Sequence, residues 1–535
     1  MQKQVHNPVL VLGATRCAAY IARDLSAVGR DVVVAAAEPL SDLQPFVETI
    51  GSDRILGDAR VLDLDGAPGT FSVRMSVHGE HVTLQPTAIV VAERDVRIPN
   101  FGEYDLSPAP CVFSLSDLCA SLDGDGPDPF EQVRHLVFLN GLNTESHPVI
   151  SEEIMRRSIL LQNEHDVQTY ILTRNLKVAA DGLEALYRES KAAGTIYVKF
   201  GDIGPEIRQG RDGSVSMEFD DDITGMPLTL APDAVVVDET IRPSDVAIDI
   251  GRRLGIETDS NRFLQGDNVH RLAVQTNRKG IFVAGPARSI GSGRDHRMDA
   301  GNAAIAANEI QGGACETDDR AVIDRWQCVR CLTCFRICPH GAIHVEGRVT
   351  VMPDACERCG ICTAECPRHA IRITGLDAVE LSRHVTMDRS SDARQQDVAP
   401  TIVAFCCTRS GTAAADLARC MGCALPERLT VVEVPCAGIL SYDHFFAAFQ
   451  RGADGVLAIT CHRDNCHSSR GNEYAKHRME QLSEVFRQTG FSTERLKRCA
   501  LASNMGREFA DILTGFETTL RGLGPSPIKP WHHLR

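Results

Sequence analysis

The feature that most restricts this chain is a repeat of cysteines at its centre. CVRCLTCFRICPHGAI begins at Cys328 and CERCGICTAECPRHAI begins at Cys356, an offset of 28 residues. Each half reads C-x2-C-x2-C-x3-C-P. Three cysteines two residues apart wrap a tight loop around one cubane, and the fourth, followed by proline, leaves that loop to ligate the other cluster. The spacing therefore assigns Cys328, Cys331, Cys334 and Cys366 to one [4Fe–4S] cluster, and Cys356, Cys359, Cys362 and Cys338 to a second. Pro339 and Pro367 bend the chain away after the fourth thiolate. Ala342–Ile343 and Ala370–Ile371 supply apolar cover, and loop N–H groups stabilise the anionic sulfurs. The competing use is a pair of zinc sites, but zinc motifs supply two cysteine pairs rather than a triplet plus Cys-Pro, twice over.

The other cysteines are placed unevenly too. Of 20 in 535 residues, a second group runs from Cys406 to Cys499. Clustering of this kind in a large chain points to metal ligation rather than disulfides. The N-terminal stretch MQKQVHNPVLVLGATR reads as a strand entering a turn, with no cleavable export signal. No apolar run approaches the roughly 20 residues that span a bilayer. A cytoplasmic protein is expected, able to dock peripherally on a membrane-bound complex. The net charge of −15 disfavours nucleic acid, which requires clustered positive charge.

On either side of the repeat the chain alternates strands and helices, the pattern of a mostly parallel sheet. Before it, strands are expected at 8–12, 31–36, 88–92, 135–139, 168–173, 195–200, 234–237 and 280–284, with helices at 17–28, 150–161 and 181–193. After it, strands are expected at 401–405, 429–434, 455–459 and 498–502, with helices near 412–419, 444–451, 476–489 and 507–520. The polar run TMDRSSDARQQDVAP marks a linker. The division is an α/β region over 1–315, a cluster-binding α+β insert over 320–376, a linker over 377–400 and a doubly wound α/β domain over 401–525.

The central repeat resembles the bacterial two-cluster ferredoxin domain, with Leu332 where that family usually has the glycine that the second half keeps as Gly360. In the C-terminal domain, Cys406 and Cys407 follow the first strand, Cys436 the second and Cys461 the third; Cys466 returns after a short loop. Parallel strand ends face one crevice, where ligands bind. The strings FCCTRSGTAAADLA, VPCAGIL and GADGVLAITCHRDNCH resemble the delta subunit of methyl-viologen-reducing hydrogenase. That resemblance implies a [2Fe–2S] cluster on Cys407, Cys436, Cys461 and Cys466. Many relatives have another cysteine where this chain has Ser410, and Cys406 is an alternative ligand. Cys420, Cys423 and Cys499 read as structural, and His462 and His467 as surface or hydrogen-bonding neighbours of the cysteines.

The N-terminal unit has LGATRCA at its first turn, where a dinucleotide fingerprint would read G-x-G-x-x-G; Thr15 and Ala18 replace two of the glycines. IVVAERDVRIPNFGEY, AVVVDETIRPSD and TNRKGIFVAGPAR resemble the flavin domain found in the largest, FAD-carrying component of heterodisulfide reductase (its A component) and in quinone-interacting membrane-bound oxidoreductases. The resemblance implies an FAD/NAD(P)-binding Rossmann-like fold and an FAD, contacted by Gly13, Glu38, Gly285, Arg288 and Arg294. The chain departs from that family at Ala92-Glu93-Arg94, Asp238-Glu239-Thr240 and Pro286, and HLVFLNGLNTESHPVI lacks the family's mid-domain cysteines.

The leading expectation is an oxidoreductase component that relays electrons between a [2Fe–2S] domain, two [4Fe–4S] clusters and FAD. Its partners would be other subunits of an anaerobic redox complex: a hydrogenase, a heterodisulfide reductase-like module, a dehydrogenase or a quinone-linked module. Two alternatives stand beside it: a wire and assembly component whose N-terminal domain has lost its flavin, and a stand-alone flavin-dependent reductase of a small substrate.

Overall fold

A computed structural model describes residues 7–37, 47–124, 130, 132–201, 203–220, 225–265, 271–312, 320–383 and 399–528. The first unit is a five-stranded parallel sheet in the order Ile281–Val283, Ala88–Val91, Val9–Leu12, Val32–Ala35, Ile55–Leu56. Its central strands are buried along their whole length, so they read as unbroken apolar runs rather than alternating ones. Helices Arg16–Ala27 and Gly293–Asn308 cover one face. Helix Asp245–Leu254 and an antiparallel layer of Ala59–Asp65, Ser72–Val77 and Glu80–Leu84 cover the other.

A second unit is inserted into the first. The paired antiparallel strands Asp95–Pro99 and Glu239–Pro243 carry the chain out and back. Between them lies another five-stranded parallel sheet, ordered Ile196–Lys199, Gln168–Thr173, His135–Asn140, Ala234–Val237, Val112–Ser114. It is packed on helix Pro148–His165 and flanked by an antiparallel meander over 206–230. The N-terminal region is therefore two nested units of dinucleotide-binding topology. The antiparallel layers and helices 245–254 and 293–308 escape the sequence expectation, which read one β/α series.

The cysteine repeat folds as a pseudo-symmetric pair. Helix Thr333–Ile337 and hairpin Ile343–Glu346/Arg348–Val351 follow one triplet; helix Ile361–Ala364 follows the other, and Ile371–Arg372 pairs with Val322–Ile323. Arg278 and Asp354, with side chains 7% and 1% exposed, form an ion pair that seats this domain on the N-terminal region. Arg278 also donates to the Leu254 carbonyl, so the buried guanidinium is paired and hydrogen-bonded, as burial of charge demands.

The C-terminal sheet is parallel, ordered Leu429–Val434, Ile402–Cys407, Gly455–Thr460, Leu496–Ala500; the last strand starts two residues before the expected position. Helices 413–420 and 506–523 pack on one face, 442–450 and 471–489 on the other. The expected linker over 377–400 begins instead with helix Ala378–Ser382, capped by Asp377, whose Leu381 joins the C-terminal core. Leu376, just before the helix, packs on the same core as Leu381; residues 384–398 of that linker lie outside the described residues.

Two contacts seat the repeat on the C-terminal domain. Gly360 has φ +74°, and a Cβ there would come within 2.4–2.6 Å of Ile439. His444, buried, accepts from the Ser441 N–H at Nδ1 (3.1 Å) and donates from Nε2 to the Leu376 carbonyl (3.2 Å).

Gly360→Ala therefore meets both a left-handed backbone, at about 1–2 kcal/mol, and a clash with Ile439. It is expected to lower the urea midpoint, whereas Leu332→Gly at the mirrored position, which relieves a like backbone cost while giving up a half-buried side chain, changes the midpoint little. His444 supplies a pH dependence. Burial, first of all, pushes its imidazole below the ordinary value. The unfolded chain thus takes up a proton more readily than the folded one. The contribution is intact above about pH 6.5 and is lost as pH falls from there toward the depressed folded value. Urea midpoints should drop between about pH 7.5 and pH 5.5, and His444→Gln should cost less at the acidic end.

Candidate metal centres and the dinucleotide turns

The two halves of the repeat build the same backbone. Arg330 (φ +54°) and Leu332 (φ +61°) in the first loop answer to Arg358 (φ +55°) and Gly360 (φ +74°) in the second. These left-handed turns let each triplet curl around its own centre. Cys328, Cys331, Cys334 and Cys366 line a single cavity, closed by Ile323, Val349 and Ile371. Cys334 also feels the charges of Cys328, Cys331 and Cys366, as Cys362 feels those of Cys338, Cys356 and Cys359. Each fourth cysteine thus lies with the opposite triplet, in the crossed arrangement read from the spacing. Burial, with like charge nearby, pushes the Cys359 and Cys362 thiols well up.

Backbone N–H groups point at the sulfurs. Ala342 donates to Cys338 Sγ (3.4 Å) and Ala370 to Cys366 Sγ (3.3 Å), again at equivalent positions. Among the described residues, no three His, Cys, Asp or Glu side chains stand close enough to grip one metal ion. A cluster spreads its ligands over several irons and asks for the wider cage seen here.

The C-terminal cysteines meet where strand order reverses. Cys407 ends strand 402–407 and Cys461 follows strand 455–460, the two strands flanking the switch point of the sheet. Cys407 Sγ and Cys461 Sγ are 3.6 Å apart. Cys436 and Cys466 complete one buried group with them. Gly438 N–H donates to Cys436 Sγ (3.4 Å). Helix Gly471–Thr489 starts against this group: a Cβ on Gly471 would stand 2.2 Å from Cys436 Sγ and 3.5 Å from Cys466 Sγ. A bare backbone and a helix N-terminus beside four thiolates favour negative charge there. The donor set and the cradle fit a [2Fe–2S] cluster.

Strand alternation separates the two adjacent candidates. Cys407 turns to this group, while Cys406 turns to the opposite face, packs with Ala414 and Ile459, and has its thiol pushed up to about 12 by burial. The Ser410 hydroxyl is buried without a hydrogen-bond partner beside this group; the Cys407 thiol is held below its ordinary value chiefly by Cys461, whose own thiol is raised chiefly by Cys407. Cys423 and Cys499 pack on the same core as Cys406, whereas Cys420 and His462 are exposed.

Cys359 of the second triplet belongs to the same packed group as Cys407, Cys436, Cys461 and Cys466, with Ile361 between them. Three glycines make the approach possible. Gly360 faces Ile439, Gly438 faces Ile361 and the Gly471 backbone, and Gly471 faces Cys436. Arg478 locks it: its guanidinium bonds Glu365 (2.9 Å), the Gly438 carbonyl (2.9 Å) and the Leu440 carbonyl. The string SSRGNEYAKHRME, which also resembles the delta-subunit family, contains Gly471 and Arg478, but the sequence assigns no role to them or to Glu365.

The flavin contacts expected in the first unit are not assembled into a cradle. Thr15 stands at the helix N-terminus, its hydroxyl accepting from Ala18 N–H (3.2 Å) and donating to the Ala92 carbonyl (2.7 Å). It thus spans the crevice between strands 9–12 and 88–91, the switch point of that sheet. Gly13 faces the Ala92 carbonyl, and Gly285 faces Cys17 Sγ, where a Cβ would come within 2.8 Å. Arg288 is bound to Asp299 (2.6 Å). Arg294 is an exposed surface residue, 79% accessible, near Asp181. Glu38 lies outside the described residues. In the second unit Gly141 N–H, which opens the turn, is taken by the carboxylate of Asp238 (2.7 Å). Tyr104 and Asn100 also donate to that carboxylate, and Pro148 removes a donor from the following helix. The residues present do not fit a dinucleotide at either turn.

Residues 402–524 match the family model described as methyl-viologen-reducing hydrogenase, delta subunit, and residues 349–372 match the 4Fe–4S binding domain. The chain is 30% identical over 356 residues to the A component of the ferredoxin/F420H2-dependent CoB-CoM heterodisulfide reductase of Methanosarcina acetivorans, a match covering 66% of this chain and 44% of that one. It therefore spans less than half the length of that relative. The iron-sulfur D component of an F420-non-reducing hydrogenase from Archaeoglobus profundus is 34% identical over 126 residues, 24% of this chain and 92% of its own. Among solved structures, T. acidophilum thioredoxin reductase aligns over 56% of this chain and 96% of its own at 14% identity and a TM-score of 0.39. The chain thus joins a segment homologous to the A component of heterodisulfide reductase to a C-terminal domain through which it belongs to the methyl-viologen-reducing hydrogenase delta-subunit family.

Proposed function

We propose that this chain is an electron-relay component of a multi-subunit redox complex, with two [4Fe–4S] clusters and one [2Fe–2S] cluster in series. The observation that carries this reading is the shared wall between cysteine sets: Cys359 and Ile361 pack directly on Cys407, Cys436, Cys461 and Cys466. When bound, such clusters accept and release one electron at a time. Cys328, Cys331, Cys334 and Cys366 hold the first; Cys338, Cys356, Cys359 and Cys362 hold the second; and Cys407, Cys436, Cys461 and Cys466 hold the third. The chain's own residues supply the rest. N–H groups of Ala342, Ala370 and Gly438 stabilise thiolate charge, and Ile361 and Ile439 keep water from the contact between the second and third sites.

The order of domains and the named relatives support a partner drawn from hydrogenase or heterodisulfide reductase-like modules, with dehydrogenase and quinone-linked modules as further members of that class. No helix among the described residues is long and apolar enough to cross a membrane. A cytoplasmic location suits thiolate-held clusters, which a reducing compartment preserves. The relay takes no step through FAD. Thr15, Cys17 and Arg288 favour the reading in which the N-terminal units act as a scaffold.

Anaerobically isolated protein is expected to contain about ten iron atoms and about ten acid-labile sulfides per chain, with acid-released flavin well below one per chain. Cys407→Ser should remove about two irons and leave the [4Fe–4S] spectrum in place. Colourless protein, or loss of all iron in Cys407→Ser, would overturn the assignment.

A further inference from the structure

Ser410 is 3% exposed, and its hydroxyl is buried with no hydrogen-bond partner. An unpaired buried hydroxyl costs about 1–3 kcal/mol, so one in a well-packed fold calls for an explanation. The hydroxyl stands beside the Cys407 and Cys461 sulfurs. Those two sulfurs face each other at 3.6 Å, each the other's partner.

The backbone holds Ser410 in this position. It sits in a single π-helical turn, Thr408–Thr412, directly after the strand that ends at Cys407. Such turns are rare and are frequently found at functional sites. The Thr408 hydroxyl donates to the Val434 carbonyl (3.1 Å), and the Thr412 hydroxyl to the Cys406 carbonyl (3.4 Å). Gly411 lies so close to Ile459 and Cys406 that a Cβ would come within 2.8–3.0 Å of them. With the turn pinned on both sides, the Ser410 hydroxyl stays inside.

The chemistry of ligation supplies an acceptor. Cysteines hold an iron–sulfur cluster as thiolates, so no S–H is left between Cys407 and Cys461 when they serve as ligands. Each sulfur is then an anionic acceptor beside a hydroxyl that can donate. A hydrogen bond to an ionised group is about twice as strong as one between neutral groups.

We propose that Ser410 sets the reduction potential of the third site: its hydroxyl donates to the Cys407 or Cys461 thiolate and stabilises the negative charge that reduction adds. The proposal rests on the [2Fe–2S] reading above and adds the residue that tunes it. Ser410 is a positioning residue and not a ligand, since Cys407, Cys436, Cys461 and Cys466 already complete the set. One electron enters the site, the serine keeps its proton, and no covalent bond forms or breaks. Hydrogen bonds to ligand sulfurs raise such potentials by favouring the more negative state. Cys359 of the second site belongs to the same packed group. A third site that holds its electron more firmly therefore draws charge from the second site toward the C-terminal domain.

The test uses the full chain, prepared anaerobically, equilibrated with a series of viologen dyes and read by EPR of the reduced clusters. Ser410→Ala is expected to lower the third site's equilibrium constant for reduction about tenfold, which for one electron is about 59 mV. Ser410→Gly should give the same fall, and Ser410→Thr, which keeps the hydroxyl, should stay close to wild type. Iron content and the [4Fe–4S] potentials should not move in any of the three. A hydroxyl that only fills space would alter stability and leave the potential alone. Pulsed EPR of the wild-type reduced site should also show an exchangeable proton coupling, lost in D2O, that Ser410→Ala lacks. An unchanged potential in folded, iron-replete Ser410→Ala or Ser410→Gly overturns the proposal. Loss of about two irons from Ser410→Ala, with circular dichroism unchanged, makes Ser410 a ligand and overturns it as well. Wild-type protein without a [2Fe–2S] signal overturns the reading on which the proposal rests.

Discussion

The arrangement turns on how closely two polypeptide surfaces approach at the second cysteine triplet. Gly360 and Gly438 each lie where a Cβ would collide with the opposing domain, and Gly471 lies where one would collide with Cys436 of its own. Their bare backbones bring Cys359 into the packed group that holds the four C-terminal cysteines. A methyl group on Gly360 or Gly438 would push the walls apart, and one on Gly471 would displace Cys436. Arg478 makes the approach durable by bonding both domains at once, to Glu365 on one side and to the Gly438 and Leu440 carbonyls on the other. Two cysteine-bearing modules are thereby held in fixed register.

The constraint explains an asymmetry in the repeat. Both halves need a left-handed residue after the second cysteine, and both have one: Leu332 at φ +61° and Gly360 at φ +74°. Leucine tolerates that backbone at a cost of about 1–2 kcal/mol where its side chain has room, on the half that faces solvent. Glycine is required on the half that meets Ile439. The repeat's pseudo-symmetry is thus broken at the one position where a second domain is pressed against it.

What the sequence disclosed follows from how local each signal is. The crossed cysteine sets were legible because ligand spacing is a short-range property, and the parallel strands because buried strands are unbroken apolar runs. Cys406 and Cys407 could not be told apart by position. The alternation of strand 402–407 separates them, sending one thiol to the cage and the other to the core. The insertion of the second N-terminal unit was hidden because its entry and exit strands, 95–99 and 239–243, pair across more than a hundred residues. The roles of Arg478 and Gly471 were hidden for the same reason: each acts on a partner distant in sequence.

The N-terminal units show the converse, a fold kept while its ligand contacts turn inward. Three of the groups at these turns already have an internal partner. Thr15 bridges the switch point of the first sheet, Asp299 holds Arg288, and the Asp238 carboxylate sits on the Gly141 N–H of the second turn. Burial raises the pKa of Asp238, and three donors converge on its carboxylate. A region so closed still has work to do. The Arg278–Asp354 ion pair seats the cysteine repeat on it, on the side where the second triplet is buried. With the second triplet packed against both neighbours, the first, with Cys331 exposed, is left as the end of the repeat that faces outward.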